Sequence, residues 1–176
     1  MRHHRMPALF LALLALVLAL PGAATAQAPS VQGSFTYDAS ASDNVNQAIE
    51  AAISRMNFVI RPIARGRLKK TNQPYQRLTI SHTNSEISVR TDNRAPIVTP
   101  ANGTPKDWTR EDGEKLKVST EWQSGKIVQT FRAEDGQRIN TYSVSPDGSV
   151  LSMLVTIRSE KLPKPLTYTL RYRRAS

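Results

Sequence analysis

The chain has 176 residues, with 24 Lys and Arg against 14 Asp and Glu, three histidines and no cysteine. The lack of cysteine excludes disulfides, thiol catalysis, thiolate metal sites and a lipid-anchored cysteine. A formal net charge of +10 favours anionic partners such as phospholipid headgroups, lipopolysaccharide, acidic glycans or nucleic acid, and it also serves solubility.

The start has the parts of a secretory signal peptide. Met1-Arg2-His3-His4-Arg5 is basic, Ala8 to Leu20 is an apolar run of 13 residues, and Pro21-Gly22-Ala23-Ala24-Thr25-Ala26 ends in Ala-x-Ala. The run is shorter than the roughly 20 residues a membrane-crossing helix needs. Cleavage is expected after Ala26, with Ala28 as the alternative. Removal of 1–26 leaves 150 residues, 22 basic and 14 acidic, as a single domain over 27–176. No later stretch is long and apolar enough to span a membrane as a helix. The expected location is periplasmic or secreted.

Val31–Tyr37 reads as a first strand. Val45, Ile49, Ala52, Ile53 and Met56 then recur at helical spacing, which predicts a helix over about 43–58 with Ser42 and Asp43 at the N-cap. Pro62 disfavours helix at Arg61 and marks a boundary or a kink. Arg61, Arg65, Arg67, Lys69 and Lys70 follow within ten residues, with Arg55 just upstream. This basic stretch is either a solvated connection or an anion-binding surface for an acidic lipid or glycan. No aromatic residue lies between 59 and 74, so nucleic-acid bases would find no stacking platform there.

From Tyr75 onward, short stretches of period-two alternation are separated by turns. Leu78, Ile80 and His82 share a face, as do Ile87 and Val89, and Leu116, Val118, Thr120 and Trp122. Ser124-Gly125, Asp135-Gly136 and Pro146-Asp147-Gly148 turn the chain into strands at Lys126–Ala133, Gln137–Val144 and Ser149–Arg158. In the last strand Leu166, Tyr168, Leu170 and Tyr172 face one way, and Thr167, Thr169, Arg171 and Arg173 the other. This is the pattern of an antiparallel meander. The segment 96–115 reads as a long loop holding at most a short strand at Ile97–Thr99.

Chemistry is sparse. His82 is the only histidine after the leader, so neither a Ser-His-Asp arrangement with its usual turn nor a zinc site of usual composition is expected. Glu111-Asp112-Gly113-Glu114 lacks the alternating ligand spacing of an EF-hand loop. No cofactor, metal or catalytic residue is assigned, and the protein is not read as an enzyme. Trp122, Phe131, Tyr142, Tyr168 and Tyr172 lie on successive predicted strands. They either fill a barrel or line a pocket in it. His82, in phase with Leu78 and Ile80, stands at the rim.

A first strand with Gly33-Ser34-Phe35, a helix, a hairpin meander and a basic last strand together resemble the lipocalin-like (calycin) barrels. The layout is also similar to an uncharacterised family of exported bacterial proteins that end in Tyr-Arg-Arg, here Tyr172-Arg173-Arg174. In calycins a Gly-x-Trp on the first strand meets an arginine from the last. The resemblance implies that Phe35 stands for the tryptophan, with Arg171 or Arg173 as the closing arginine. The helix is placed like the lid of fatty-acid-binding proteins, although one long helix and a basic segment stand where that family has two short helices.

The expected fold is therefore mainly β: an up-and-down barrel or curved sheet of about eight strands, with one helix over about 43–58 packed on it. The favoured function is binding of a small apolar or amphipathic molecule, with Trp122, Phe131, Tyr142 and His82 around it and Arg61, Arg65 and Arg67 drawing an acidic headgroup to the mouth. The alternative is an envelope protein without a cavity that docks an anionic surface or a protein through Arg61, Arg65, Arg67, Lys69 and Lys70. Nucleic acid is not an expected partner.

Overall fold

A computed structural model describes residues 30–175. The leader assigned to residues 1–26 lies outside these described residues. The structure is mainly β: ten antiparallel strands in a nearly closed barrel, with two helices packed on it. The strands are β1 (Gly33–Tyr37), β2 (Arg77–His82), β3 (Glu86–Thr91), β4 (Ile97–Pro100), β5 (Lys106–Thr109), β6 (Lys115–Gln123), β7 (Lys126–Arg132), β8 (Gly136–Val144), β9 (Val150–Ser159) and β10 (Leu166–Arg174). Each pairs with its neighbour in sequence except β4 with β5, and β1 closes the ring against β10. The up-and-down meander is thus present, with ten strands in place of about eight.

Both strands beyond the eight lie in 96–115: β4 falls on the short strand expected at Ile97–Thr99, and β5 is additional. Pro100, Gly103, Pro105 and Gly113 give this segment its loop reading, but β4 and β5 each need only four residues to pair. Trp108 sits opposite Leu116, and Val98 opposite Ser88. Proline is tolerated at Pro100 because β4 is an edge strand, where one face of the backbone has no partner to lose.

Strand alternation follows the sequence pattern closely. Leu166, Tyr168, Leu170 and Tyr172 are buried, as are Leu151, Met153 and Val155 opposite them on β9 and Leu78, Ile80, Ile87 and Val89 on β2 and β3. Each such burial contributes roughly 1.5–3 kcal/mol. Phe35 and Val31 join this cluster from the first strand and its approach.

Helix α1 (Val45–Ile53) buries Ile49, Ala52 and Ile53 against the barrel, and Met56 packs partly buried beside them. Its N-cap is Asn44, whose side chain accepts from the Gln47 amide at 3.1 Å. Ser42 and Asp43, expected at this cap, are used otherwise: Ser42 Oγ accepts from Arg171 N at 2.8 Å, and Asp43 Oδ2 from Thr169 N at 2.6 Å. These side chains saturate amides on β10 that strand pairing leaves open, which outranks a cap that Asn44 can supply. An Ile53→Ala change, at a position with no exposure, would cost about 2–5 kcal/mol.

The helix expected to run to about 58 ends at Ile53, and the basic segment forms a second helix, α2 (Arg61–Thr71). Pro62 lies in the first turn of α2, where a missing N–H would have had no intrahelical acceptor anyway. The proline therefore starts a helix here. Lys69 and Lys70 fall in the last turn, where positive charge complements the helix dipole. Ala64 and Leu68 pack on the core, and Arg65 ties α2 to α1 through a bidentate pair with Glu50 at 2.6 and 2.8 Å.

The calycin-type closure is present with a different arginine. Arg174, rather than Arg171 or Arg173, lies over the Phe35 ring, 4.6 Å from its centroid. Its guanidinium also donates to the carbonyls of Gly148 at 2.7 Å, and of Gln32 and Ser30 at 2.8 Å each. Arg171 and Arg173 point to the outer face, as the alternation requires. They bond Ser152 Oγ at 2.8 Å and Asp38 Oδ2 at 2.6 Å respectively.

Candidate functional site

The barrel is filled at one end and open at the other. The opening is a cleft of about 260 Å³ beneath α2, bounded by the β5–β6, β7–β8 and β9–β10 ends. Leu68, Trp108, Leu116, Phe131 and Ile157 supply its apolar wall. Trp108 and Phe131 meet edge to face, with centroids 5.8 Å apart, an arrangement that aromatic quadrupoles favour.

Arg138, on β8, lies in this cleft and is half-buried. Its Nε donates to Asn140 Oδ1 at 2.9 Å, and its Nη1 to Asn72 Oδ1 at 3.2 Å and to the Thr71 carbonyl at 3.3 Å. All three acceptors are neutral. Among the described residues Nη2 has no hydrogen-bond partner, and no carboxylate pairs with this guanidinium. The two acids in the cleft wall are engaged elsewhere: Glu114 with Arg110, and Asp135 with Lys161. The Lys161 bond holds the Asp135 carboxyl below its usual range. Arg67 and Arg158 also line the cleft, and neither forms an ion pair among the described residues. A half-buried cation with only dipoles around it is a strong attractor for an anion, because the low local dielectric magnifies the interaction.

Behind Arg138 a polar network runs into the barrel. Asn140 Nδ2 donates to Tyr142 Oη at 3.2 Å, and Tyr142 Oη donates to Gln129 Oε1 at 3.0 Å. Tyr168 Oη donates to Asn72 Oδ1 at 2.9 Å, so Asn72, at the end of α2, joins the last strand to Arg138. Burial raises the pKa of Tyr142, Tyr168 and Tyr172, so these phenols remain neutral, and the first two donate. Five buried side-chain polar atoms have no partner among the described residues: Arg61 Nε at the start of α2, and Thr99 Oγ1, Thr120 Oγ1, Gln129 Nε2 and Tyr172 Oη in the strands. Thr120, Gln129 and Asn140 are successive cross-strand neighbours on β6, β7 and β8. They form a polar rung across an otherwise apolar wall.

The residues singled out from sequence are dispersed by the fold. Phe131 and Arg67 line the cleft. Tyr142 is buried behind it within the polar network. His82 and Trp122 are at the ends of β2 and β6 that lead away from the cleft, packed edge to face at 5.1 Å, with Trp122 40% exposed. Trp122 follows the inward alternation of β6 but lies beyond the covered interior. Arg61 donates to the Met56 carbonyl at 2.6 Å, Arg65 is held by Glu50, and Lys69 and Lys70 are exposed. Arg138 and Trp108 went unrecognised. Arg138 could have been found, since it shares a face of β8 with Asn140 and Tyr142. Trp108 was concealed by the loop reading of its segment.

No protein-family model matches this sequence, and no curated protein matches it either. Solved structures do share its shape. The REP1-NXSQ fatty acid transporter superposes with a TM-score of 0.53 at 17% identity, over 83% of this chain and 96% of that one. A Schistosoma mansoni fatty acid binding protein in complex with arachidonic acid gives 0.52 at 18% identity, over 85% and 100%. Human cRBP IV gives 0.50 at 16% identity, over 83% and 98%. The polypeptide thus shares the barrel fold of these structures.

Proposed function

We propose that this protein binds a small amphipathic anion in the cleft beneath α2, as a non-enzymatic carrier. The observation that carries the reading is Arg138, a half-buried cation with no acid partner, at the back of a wall made by Trp108, Phe131, Leu116 and Ile157. Apolar walls with a few convergent polar groups are what small-molecule sites require. The fatty acid binding proteins that share the fold support the same reading. The volume of about 260 Å³ is just below the range of about 300–1,000 Å³ usual for such sites. It therefore suits a short amphiphile, or the head of a longer one whose tail leaves through the open mouth.

Calorimetric titration with decanoate and with decanol tests the proposal. Decanoate should bind and decanol much less. Arg138→Met should remove the preference, a loss of about 1.5–3 kcal/mol for a charge-assisted bond. Equal binding of both probes, or none of decanoate, would refute the anion reading. Residues 1–26 would deliver the carrier to the periplasm or beyond. N-terminal sequencing of the exported protein should begin at Gln27.

A second reading has its own observation. The sequence of α2, Arg-Pro-Ile-Ala-Arg-Gly-Arg-Leu-Lys-Lys-Thr, holds five basic residues and no acid, which suits docking on an anionic envelope surface.

A further inference from the structure

Six large hydrophobic residues are strongly exposed among the described residues, and four of them fall between positions 58 and 63. Phe58 is 80% exposed, Val59 63%, Ile60 50% and Ile63 64%. The first three form the turn between α1 and α2, and Ile63 continues the patch into the first turn of α2. Helix propensity does not need them and the core does not use them. The inner face of α2 is supplied by Ala64 and Leu68 instead.

The surroundings of the patch identify what would cover it. Pro62, Gly66, Arg67, Lys69 and Lys70 share the exposed side of α2 with Ile63, and Arg55 precedes the turn. Glu50, on α1, is bonded to Arg65, and that bond holds its carboxyl below the usual range. A soluble protein partner could match either the apolar tip or the cationic flank. An anionic bilayer matches both at their proper depths: acyl chains for the tip, headgroup phosphates for the arginines and lysines beside it.

We infer that the turn Phe58–Ile60, with Ile63, is a wedge that inserts into an anionic phospholipid bilayer while the basic side of α2 rests on the headgroups. The inference rests on the reading of α2 as an anionic-surface helix and adds a distinct, salt-resistant apolar contact. Leu68 and Arg67 lie on the same helix and line the cleft. A docked α2 therefore brings the mouth of the cleft to the lipid surface, where an amphiphile can pass between them without crossing water.

The test uses the absence of cysteine. Phe58→Cys, and Asn84→Cys in the exposed turn at the other end of the barrel, each accept one environment-sensitive fluorophore. Vesicles of phosphatidylglycerol and phosphatidylethanolamine are then added, with and without brominated acyl chains. Insertion predicts a blue shift and bromine quenching at position 58 and neither at 84. Sedimentation with the same vesicles at about 0.1 and 1 M salt, where the Debye length falls from about 10 to 3 Å, separates the two contributions. At high salt, Phe58→Ser with Ile63→Ser should weaken binding about tenfold, equivalent to about 1.4 kcal/mol. Lys69→Ser with Lys70→Ser should matter chiefly at low salt.

Vesicle binding without quenching at 58 would overturn the wedge and leave the electrostatic docking standing. No vesicle binding by any form would overturn both. A lipid-free dimer abolished by Phe58→Ser with Ile63→Ser would also overturn the wedge, since a second copy of the chain would then be the occupant.

Discussion

Gly33 is where a single added methyl group should be most informative. Its φ is +147°, and a Cβ built there would lie 2.3 Å from Arg174 Nη1. In Gly33→Ala the flexible arginine would swing aside, but it would give up its place over Phe35 and its three main-chain acceptors. Charge-assisted bonds are worth about 1.5–3 kcal/mol each when sheltered. Arg174 is exposed, so about 1–2 kcal/mol for the whole set is a fair discount for solvent. Backbone strain adds roughly 1–3 kcal/mol. The expected loss is about 3 kcal/mol, or about 6–12 °C in melting temperature for a domain of this size. Circular dichroism during thermal unfolding reads it directly. The double variant is the stricter check: with Arg174→Ala already present, Gly33→Ala should cost only its backbone share, leaving a coupling of about 1–2 kcal/mol. A Gly33→Ala protein within about 0.5 kcal/mol of the parent, the range of an ordinary surface change, would refute the reasoning. A penalty unchanged in the Arg174→Ala background would show that the glycine makes room for something else.

Three further outcomes are expected. Tyr142→Phe strips Asn140 Nδ2 and Gln129 Oε1 of their partner in the interior, and denaturant unfolding should show a loss of about 1–3 kcal/mol. Asp38 accepts from Ser40 and Arg173, which hold its carboxyl at about 2, below the usual value of 3.8. Because the folded value is the lower one, its stabilising effect is present above about pH 4 and fades as pH falls toward 2. An NMR titration should find that midpoint, and Ser40→Ala or Arg173→Ala should move it upward. Glu50→Ala breaks the α1–α2 pair, whose side chains are 35% and 45% exposed. The midpoint of thermal unfolding should scarcely move, as for other solvent-exposed pairs.

The parts of this fold that were legible in its sequence are those governed by one local rule. Alternation placed Leu166, Tyr168, Leu170 and Tyr172 inside, because a pleated strand has only two faces. Ile49 and Ile53 marked a helix face for the same kind of reason. What stayed hidden depends on pairing between distant segments. Pro62 stops a helix that precedes it and starts one that follows, and nothing local says which applies. Trp108 belongs to a four-residue strand that exists only because Leu116 lies across from it. Arg174 rather than Arg171 or Arg173 closes the barrel because β1 and β10 register Phe35 against residue 174. The cleft is half legible: Phe131 lines it, whereas an arginine on a strand, such as Arg138, is ordinarily solvated and carries no signal of its own. That Arg138 lacks an acid partner emerges only when Glu114 and Asp135 are seen to be paired with other cations.

The seam between β1 and β10 also bears on how the molecule comes into being. Arg174 and Gln32, bonded across it, are 142 residues apart. No ring of strands exists until both have emerged and met. Apart from the β1–β2 pairing, which spans the two helices, the other strand pairs can form by local hairpin zipping, so folding should run quickly through the meander and wait on the β1–β10 pairing, the longest-range contact and the costliest in a search dominated by loop entropy. Until then β1 has only β2 beside it, and β9 has only β8. A nascent chain in that condition presents two unprotected strand edges besides those of β4 and β5. The last strand thus acts as a timer, keeping the chain pliable until synthesis has delivered it.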